Sequence, residues 1–210
     1  MAHQFSQCRL FGKFAGILLI MNLTANPVFG NKDCYFYTAS MEALKIVALC
    51  LLSGAVYGVL HDQVTARVCL EYFTVFHPDI FHTQSPTLLA FGWGRLATWW
   101  VSLTLGVLLA IAARTGSRPR VTAQSLVPKL LRLLVIMASL ALAAGISGYF
   151  LQGLGMEYYA TDIPKQIRHT FYADLWAHNA SYFSGFVGGI ALCTSVWRGR
   201  TRAMTLAKVD

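Results

Sequence analysis

VPKLLRLLVIMASLALAAGISGYFLQGL, residues 127–154, decides the fold class. Its only charged side chains, Lys129 and Arg132, fall near its start, and the remaining stretch is apolar or small. A helix rises about 1.5 Å per residue, so roughly 20 apolar residues cross a hydrocarbon core of about 30 Å. Unsatisfied backbone amides are costly in lipid, which makes a helix the only single-segment solution. Pro128 is tolerated in a first helical turn, and the stems of Lys129 and Arg132 can snorkel to the headgroups.

Three further stretches, 42–60, 88–113 and 176–197, are also apolar for long enough to cross. The whole chain agrees: of 210 residues, 56% are hydrophobic and only 12% charged, with a mean hydropathy of +0.52. This is far from a soluble domain. An all-α integral membrane four-helix bundle is predicted. Each span carries small residues four apart: Gly54 and Gly58, Gly106 and Ala110, Ala141 and Gly145, Ala144 and Gly148, Gly185 and Gly189. Close backbone approach holds helices together where lipid supplies no hydrophobic drive between them.

Orientation follows from Lys and Arg, because cationic short loops resist translocation. Lys45 opens the first span; Arg114, Arg118, Arg120, Lys129 and Arg132 crowd the second connection; Arg198, Arg200, Arg202 and Lys208 follow the fourth span. The alternate connections hold Arg67 in one and Lys165 and Arg168 in the other. Both termini are therefore expected inside. Residues 1–40 are expected to be a poorly ordered or interfacial extension, 41–200 the membrane domain and 201–210 a cytoplasmic tail. Arg9 and Lys13 precede an apolar run, 14–23, like a signal-peptide core without a clean cleavage site. Cleavage there would start the first span outside, against the charge asymmetry, so Met41 is the alternative start.

The net charge of +8 does not indicate nucleic acid, since the cations cluster beside apolar runs and not along an aromatic surface. Cys8, Cys34, Cys50, Cys69 and Cys193 contain no CxxC, so neither a disulfide framework nor a zinc ribbon is expected.

His61, His77, His82, His169 and His178, with Asp62, Glu71, Asp79, Glu157, Asp162 and Asp174, all belong to the two outer connections or their helix ends. Packing alone has no need of such a collection. His61, Asp62 and Gln63 follow the first span. The next stretch, VTARVCLEYFTVFH, reads as an amphipathic segment lying in the interface and bringing Glu71 and His77 to the surface. Asp174 and His178 are four apart and share a helical face, beside Asn179 and Tyr182. Arg95 lies about 10 Å inside the second span, where a lone charge is expensive. Asp62, Glu71 or Asp174 would be its partner, or it would contact a substrate anion.

Imidazole and carboxylate suit zinc, iron or manganese, and helix bundles hold such metals on inward-facing side chains. The candidate ligands are His61, His77, Asp174 and His178, with His82 a further source. Glu71 and Asp62 are candidate catalytic carboxylates, and Arg95, Gln63 and Tyr182 candidate binding groups. The spacing fits no HExxH or repeated ExxH pattern, so hydrogen-bonded structural or titrating histidines are the alternative. Haem between His61 and His178 is a weaker option, because both lie at helix ends. GxSxG and Walker A are absent, and the GWG at 92–94 lacks the strand of a dinucleotide turn. The remaining Trp and Tyr groups read as interfacial belts.

The strings HDQVTARVCLEYFTVFHPDIFHTQSPTLLAFGWG (61–94) and ADLWAHNASYFSGFVGG (173–189) resemble an uncharacterised bacterial family of small polytopic membrane proteins. The resemblance runs from about residue 42 to 197 and implies a bacterial cell membrane, without activity, substrate or cofactor. The leading expectation is a multi-pass bacterial inner-membrane protein of unknown activity with an outer-face His/carboxylate/Arg site, for which a divalent transition metal is one candidate occupant and hydrogen-bonded or titrating histidines are the other reading. The bilayer, and a homo-oligomer or larger membrane complex, are its expected partners. The alternatives are a transporter or channel-like subunit using Arg95 and titrating histidines, and a structural or accessory subunit in which Arg95 is a lock.

Overall fold

The computed structural model describes residues 31–151 and 163–206, with side chains from Ser40 onward. Residues 1–30, the end of the third predicted span at 152–154, Glu157, Tyr158, Tyr159, Asp162 and Lys208 lie outside the described residues. The chain divides into two units, Met1–Met41 and Glu42–Asp210, and the packing and the site described below belong to the second.

Among the described residues the structure is helical and has no strand. Helix α1 spans Asn31–Val68, α2 Leu70–Thr74, α3 Pro86–Arg114, α4 Ala123–Leu151 and α5 Arg168–Leu206, with a 3-10 turn at Lys165–Ile167. Four segments, Ser40–Val68, Pro86–Arg114, Ala123–Leu151 and Lys165–Leu206, are long and apolar enough to cross a membrane. The outward faces agree: Leu52 is 65% exposed, Phe150 73% and Phe183 72%. An apolar surface of that kind belongs in lipid.

Two helices run further than the sequence pattern predicts. The apolar run of α1 stops near Leu60, but the helix continues two turns to Val68, burying Thr65 and Ala66. Ala66 packs with Phe73, Leu89 and Ala90. At the other end of the chain, α5 starts at Arg168, because Phe171 and Tyr172 bury against Cys69 and Ile163. It continues to Leu206, so residues 201–206 are helical where a tail was expected. His61, Asp62, Asp174 and His178 consequently lie within helices. The stretch expected to be one amphipathic segment is divided: residues 64–68 finish α1, Cys69 is extended, and α2 is a single turn with Phe73 buried.

Glycine sets the α1–α3 approach. A methyl on Gly94 would stand 2.6 Å from the carbonyl carbon of Gly58 and from the Val59 nitrogen, so only hydrogen fits. Gly148 meets the Tyr172 backbone in the same way where α4 crosses α5. Ser85 caps α3, its Oγ accepting from Leu88 N at 3.5 Å, with Pro86 at the first helical position.

The apolar core is split between the ends of the bundle. Ile46, Cys50, Leu109, Leu126, Leu130 and Val196 belong to a cluster at one end. Ala66, Phe73 and Leu89, and separately Cys69, Ile163 and Tyr172, close the other. A cavity of about 960 Å³ runs alongside the first cluster, against Cys50, Leu130 and Leu133, and reaches His61, Asp62 and His178.

Candidate metal centre

Asp62 and His178 face each other from α1 and α5. Their helices are tied one turn further in by Tyr57 and Ser181, whose hydroxyls are 2.7 Å apart. Tyr57 precedes His61 by four residues and Ser181 follows His178 by three, so each pair shares a helical face. His178 Nδ1 donates to the Asp174 carbonyl at 2.8 Å. A carbonyl can only accept, so Nδ1 carries a hydrogen, and in the neutral ring the Nε2 lone pair faces Asp62 Oδ1, 3.4 Å away. The His61 ring meets the His178 ring edge-on at 4.7 Å between centroids. Its Nε2 is buried with no hydrogen-bond partner among the described residues.

One nitrogen or oxygen from each of His61, Asp62 and His178 therefore lies within 4.8 Å of the others. Asp62 is only 5% exposed and His178 8%. Counted from Val68 along α1 and from Arg168 along α5, the group sits about 10–15 Å inside the helix ends. Three acceptors converging there repel one another unless a proton or a cation stands between them. A histidine whose second nitrogen donates to a backbone carbonyl is also the usual arrangement of a metal ligand.

Asp174, 1% exposed, adds a second carboxylate whose buried Oδ2 has no hydrogen-bond partner among the described residues. It is near enough for its charge to act on Asp62. With both carboxylates ionised and both imidazoles neutral, the group would carry two negative charges, which one divalent cation would balance. Helix α2 closes the site from above: Tyr72 stacks on His178 at 4.8 Å and Phe73 meets it edge-on at 5.8 Å. Burial pushes the Cys69 thiol and the Tyr72 phenol above their ordinary values, so neither ionises readily beside the carboxylates.

The other predicted site residues are placed differently. Asp174 and His178 share a face and their hydrogen bond runs through the Asp174 backbone, while the side-chain atoms that come together within 4.8 Å belong to His61, Asp62 and His178. His77 is a neighbour of the group: its Nδ1 donates to Tyr72 O at 2.7 Å, its ring packs 4.8 Å from Trp93, and its charge would reach Asp62. Glu71 is outside the group, within 3.7 Å of the Cys69 thiol. Gln63 is engaged elsewhere, donating to Thr87 O at 3.3 Å and accepting from Arg67 at 2.7 Å, which ties α1 to the start of α3. His82 is exposed and pairs with Asp79 at 3.5 Å. Tyr182 is 46% exposed and lines the cavity.

Arg95 is exposed, in a shallow groove with Phe81 and Trp99, and no ion pair among the described residues involves it. The expected bridge to Asp62, Glu71 or Asp174 is not formed, because Arg95 is turned away from the α1 contact that its neighbour Gly94 makes. The arginine that locks helices is Arg200, 2% exposed at the opposite end. It donates to the carbonyls of Ala112, Pro119, Thr115 and Arg118 at 2.5, 2.7, 2.8 and 3.1 Å. These belong to the final turn of α3 and the loop after it, where helix carbonyls have no partners of their own.

The haem expectation also fails on geometry. The His61 and His178 rings touch edge to face, so no macrocycle fits between them.

Comparison with protein-family models, with curated proteins and with solved structures finds no match to this chain. The resemblance noted for residues 61–94 and 173–189 thus brings no activity with it. Tyr57, Ser181 and Tyr72, which frame the site, escaped the sequence reading; the four-residue step from Tyr57 to His61 was the available signal.

Proposed function

We propose that this chain is a multi-pass protein of the bacterial inner membrane that holds a divalent transition metal on His61, Asp62 and His178. The observation that carries the reading is the convergence of three acceptor atoms, two of them on imidazoles, within 4.8 Å in a buried setting. The distribution of Lys and Arg supports both termini inside, which puts this end of the bundle on the outer side. Tags at Thr83 and Ser117 are then expected on opposite sides of the membrane.

Two histidines and one carboxylate leave coordination positions open, as in catalytic zinc sites and in non-haem iron sites. The metal would supply Lewis-acid or oxygen-activating chemistry at that position. The protein's own contributions are legible. Asp174 O orients His178, Asp174 adds charge balance, Tyr72 and Phe73 exclude water, and Tyr57, Ser181 and Tyr182 bring hydroxyls to the cavity beside the site.

Protein purified without chelators and then exposed to one equivalent of zinc, iron(II) or manganese should retain about one metal per chain through desalting. His178→Ala and Asp62→Asn should each retain less than a tenth of that, and Arg95→Ala should retain all of it. Wild-type protein retaining less than a tenth of an equivalent of each metal refutes the reading. It would leave the second one, favoured by the 3.4 Å His178–Asp62 separation, in which a proton shared by this pair takes the place of the metal.

A further inference from the structure

A long cavity runs beside the apolar cluster of Cys50, Leu130 and Leu133 and reaches the candidate metal centre. His61, Asp62 and His178 line one end of the 960 Å³ cavity, and Trp197 lines the other. From His178 to Trp197 along α5 is about 28 Å at helical rise, close to the thickness of a hydrocarbon core. The walls in between are mostly apolar.

The cavity opens sideways. Trp100, Leu108 and Ile111 of α3, and Phe186, Ile190 and Trp197 of α5, all line it and all are exposed. Both walls belong to helices that are apolar enough to span a membrane, so this opening faces hydrocarbon and not water. A molecule entering there arrives from within the bilayer.

The polar end restricts what such a molecule carries. The centre lies about 10–15 Å inside the helix ends, beneath Tyr72 and Phe73, so a bulky phosphodiester headgroup does not reach it from the leaflet surface. A small oxygen-bearing head does, and it would meet the metal's open positions and the hydroxyls of Tyr57, Ser181 and Tyr182. The volume lies at the upper end of the roughly 300–1,000 Å³ of ordinary ligand pockets, and its elongation suits one extended chain.

We propose that the α3–α5 cavity binds a single-chain lipid with a small oxygen-bearing head, such as a long-chain fatty acid, its head at the His61–Asp62–His178 centre. The chain-binding part rests on the shape of the cavity; the placement of the head rests on the metal reading.

The test uses full-length protein in phosphatidylcholine nanodiscs and hexadecanoic acid carrying a mid-chain diazirine. Photolabelling should concentrate on cavity residues such as Leu108, Ile190 and Cys193, at least tenfold above Leu142 and Phe150 on the outer face of α4. Excess hexadecanoic acid should compete, and hexadecane should not. Val101→Trp, which fills the cavity, should lower labelling at least tenfold while keeping its metal. Leu103→Trp, on the same helix outside the cavity, should change neither. Even labelling around the bundle, or labelling indifferent to Val101→Trp, overturns the proposal. Cavity labelling in a protein that binds no metal would keep the chain site and remove the metal reading; selective competition by hexadecane would remove the role of the head.

Discussion

Replacing Arg200 with alanine tests how the cavity end opposite the metal centre is held. The guanidinium is 2% exposed and donates to four backbone carbonyls between 2.5 and 3.1 Å, with no carboxylate among them. A hydrogen bond from a charged donor contributes about 1.5–3 kcal/mol, and simple addition over four bonds would overstate the loss. After truncation, water reaches the exposed loop at 115–120, so the discount is largest for the Thr115, Pro119 and Arg118 carbonyls. The Ala112 carbonyl, inside α3 and on a buried residue, bears the unrelieved cost. Leaving a buried carbonyl without its donor costs about 1–3 kcal/mol, and that is the expected destabilisation. Arg200→Lys should recover part of it, because an ammonium has three donors but not the planar fork that reaches two carbonyls at once. Reversible SDS unfolding in bicelles, followed by tryptophan fluorescence, measures this directly. Arg95→Ala, on an exposed arginine, should shift stability by less than about 0.5 kcal/mol. An Arg200→Ala loss below about 1 kcal/mol, or one matched by Arg95→Ala, refutes the assignment of the lock.

Gly94→Ala should destabilise by about 1–3 kcal/mol in the same assay, since the methyl would meet backbone and not a yielding side chain. Gly199→Ala has open space around it and should be neutral or gain up to about 1 kcal/mol from helix propensity; equal effects at the two positions contradict the described α1–α3 contact. Because burial raises the Cys69 thiol above its ordinary value, its thiolate is scarcer in the folded protein than in the unfolded chain at any pH near 8. Iodoacetamide should therefore modify Cys69 at least tenfold more slowly before denaturation than after it, and equal rates would show that α2 does not cover it. The same sign gives Tyr72 an alkaline effect: its raised phenol keeps its proton in the folded state after the unfolded chain has lost its own. Stability should fall as pH rises above the unfolded value near 10, and Tyr72→Phe should flatten that fall.

Hydrophobic length made the four long helices legible, because a run such as 127–154 has few alternatives. Their ends were less legible. The chain from His61 to Val68 is too polar to read as a span, yet Ala66 buries against Phe73 and against Leu89 and Ala90 of α3, and tertiary packing extends the helix. The same effect draws Phe171, Tyr172 and Asp174 into α5. For the site, the sequence collected the right residue types on one side but could not order them. Residues His61 and Asp62 are adjacent, and their pairing with His178 depends on a contact spanning more than a hundred residues. Arg95 was singled out for its depth, and depth does not say which way a side chain turns. Arg200 was counted with the cationic flank, since nothing local shows that the last carbonyls of α3 fold back over it.

The most direct measurement is X-ray absorption at the zinc edge of the reconstituted protein, compared with Asp62→Asn and His178→Ala. The account predicts a first shell of nitrogen and oxygen at about 2.0–2.2 Å, with the multiple-scattering signature of two imidazoles, and an edge at least tenfold weaker per chain in each variant, because neither retains the metal. Sulfur at about 2.3 Å, or a spectrum unchanged in both variants, would place the metal elsewhere and contradict it.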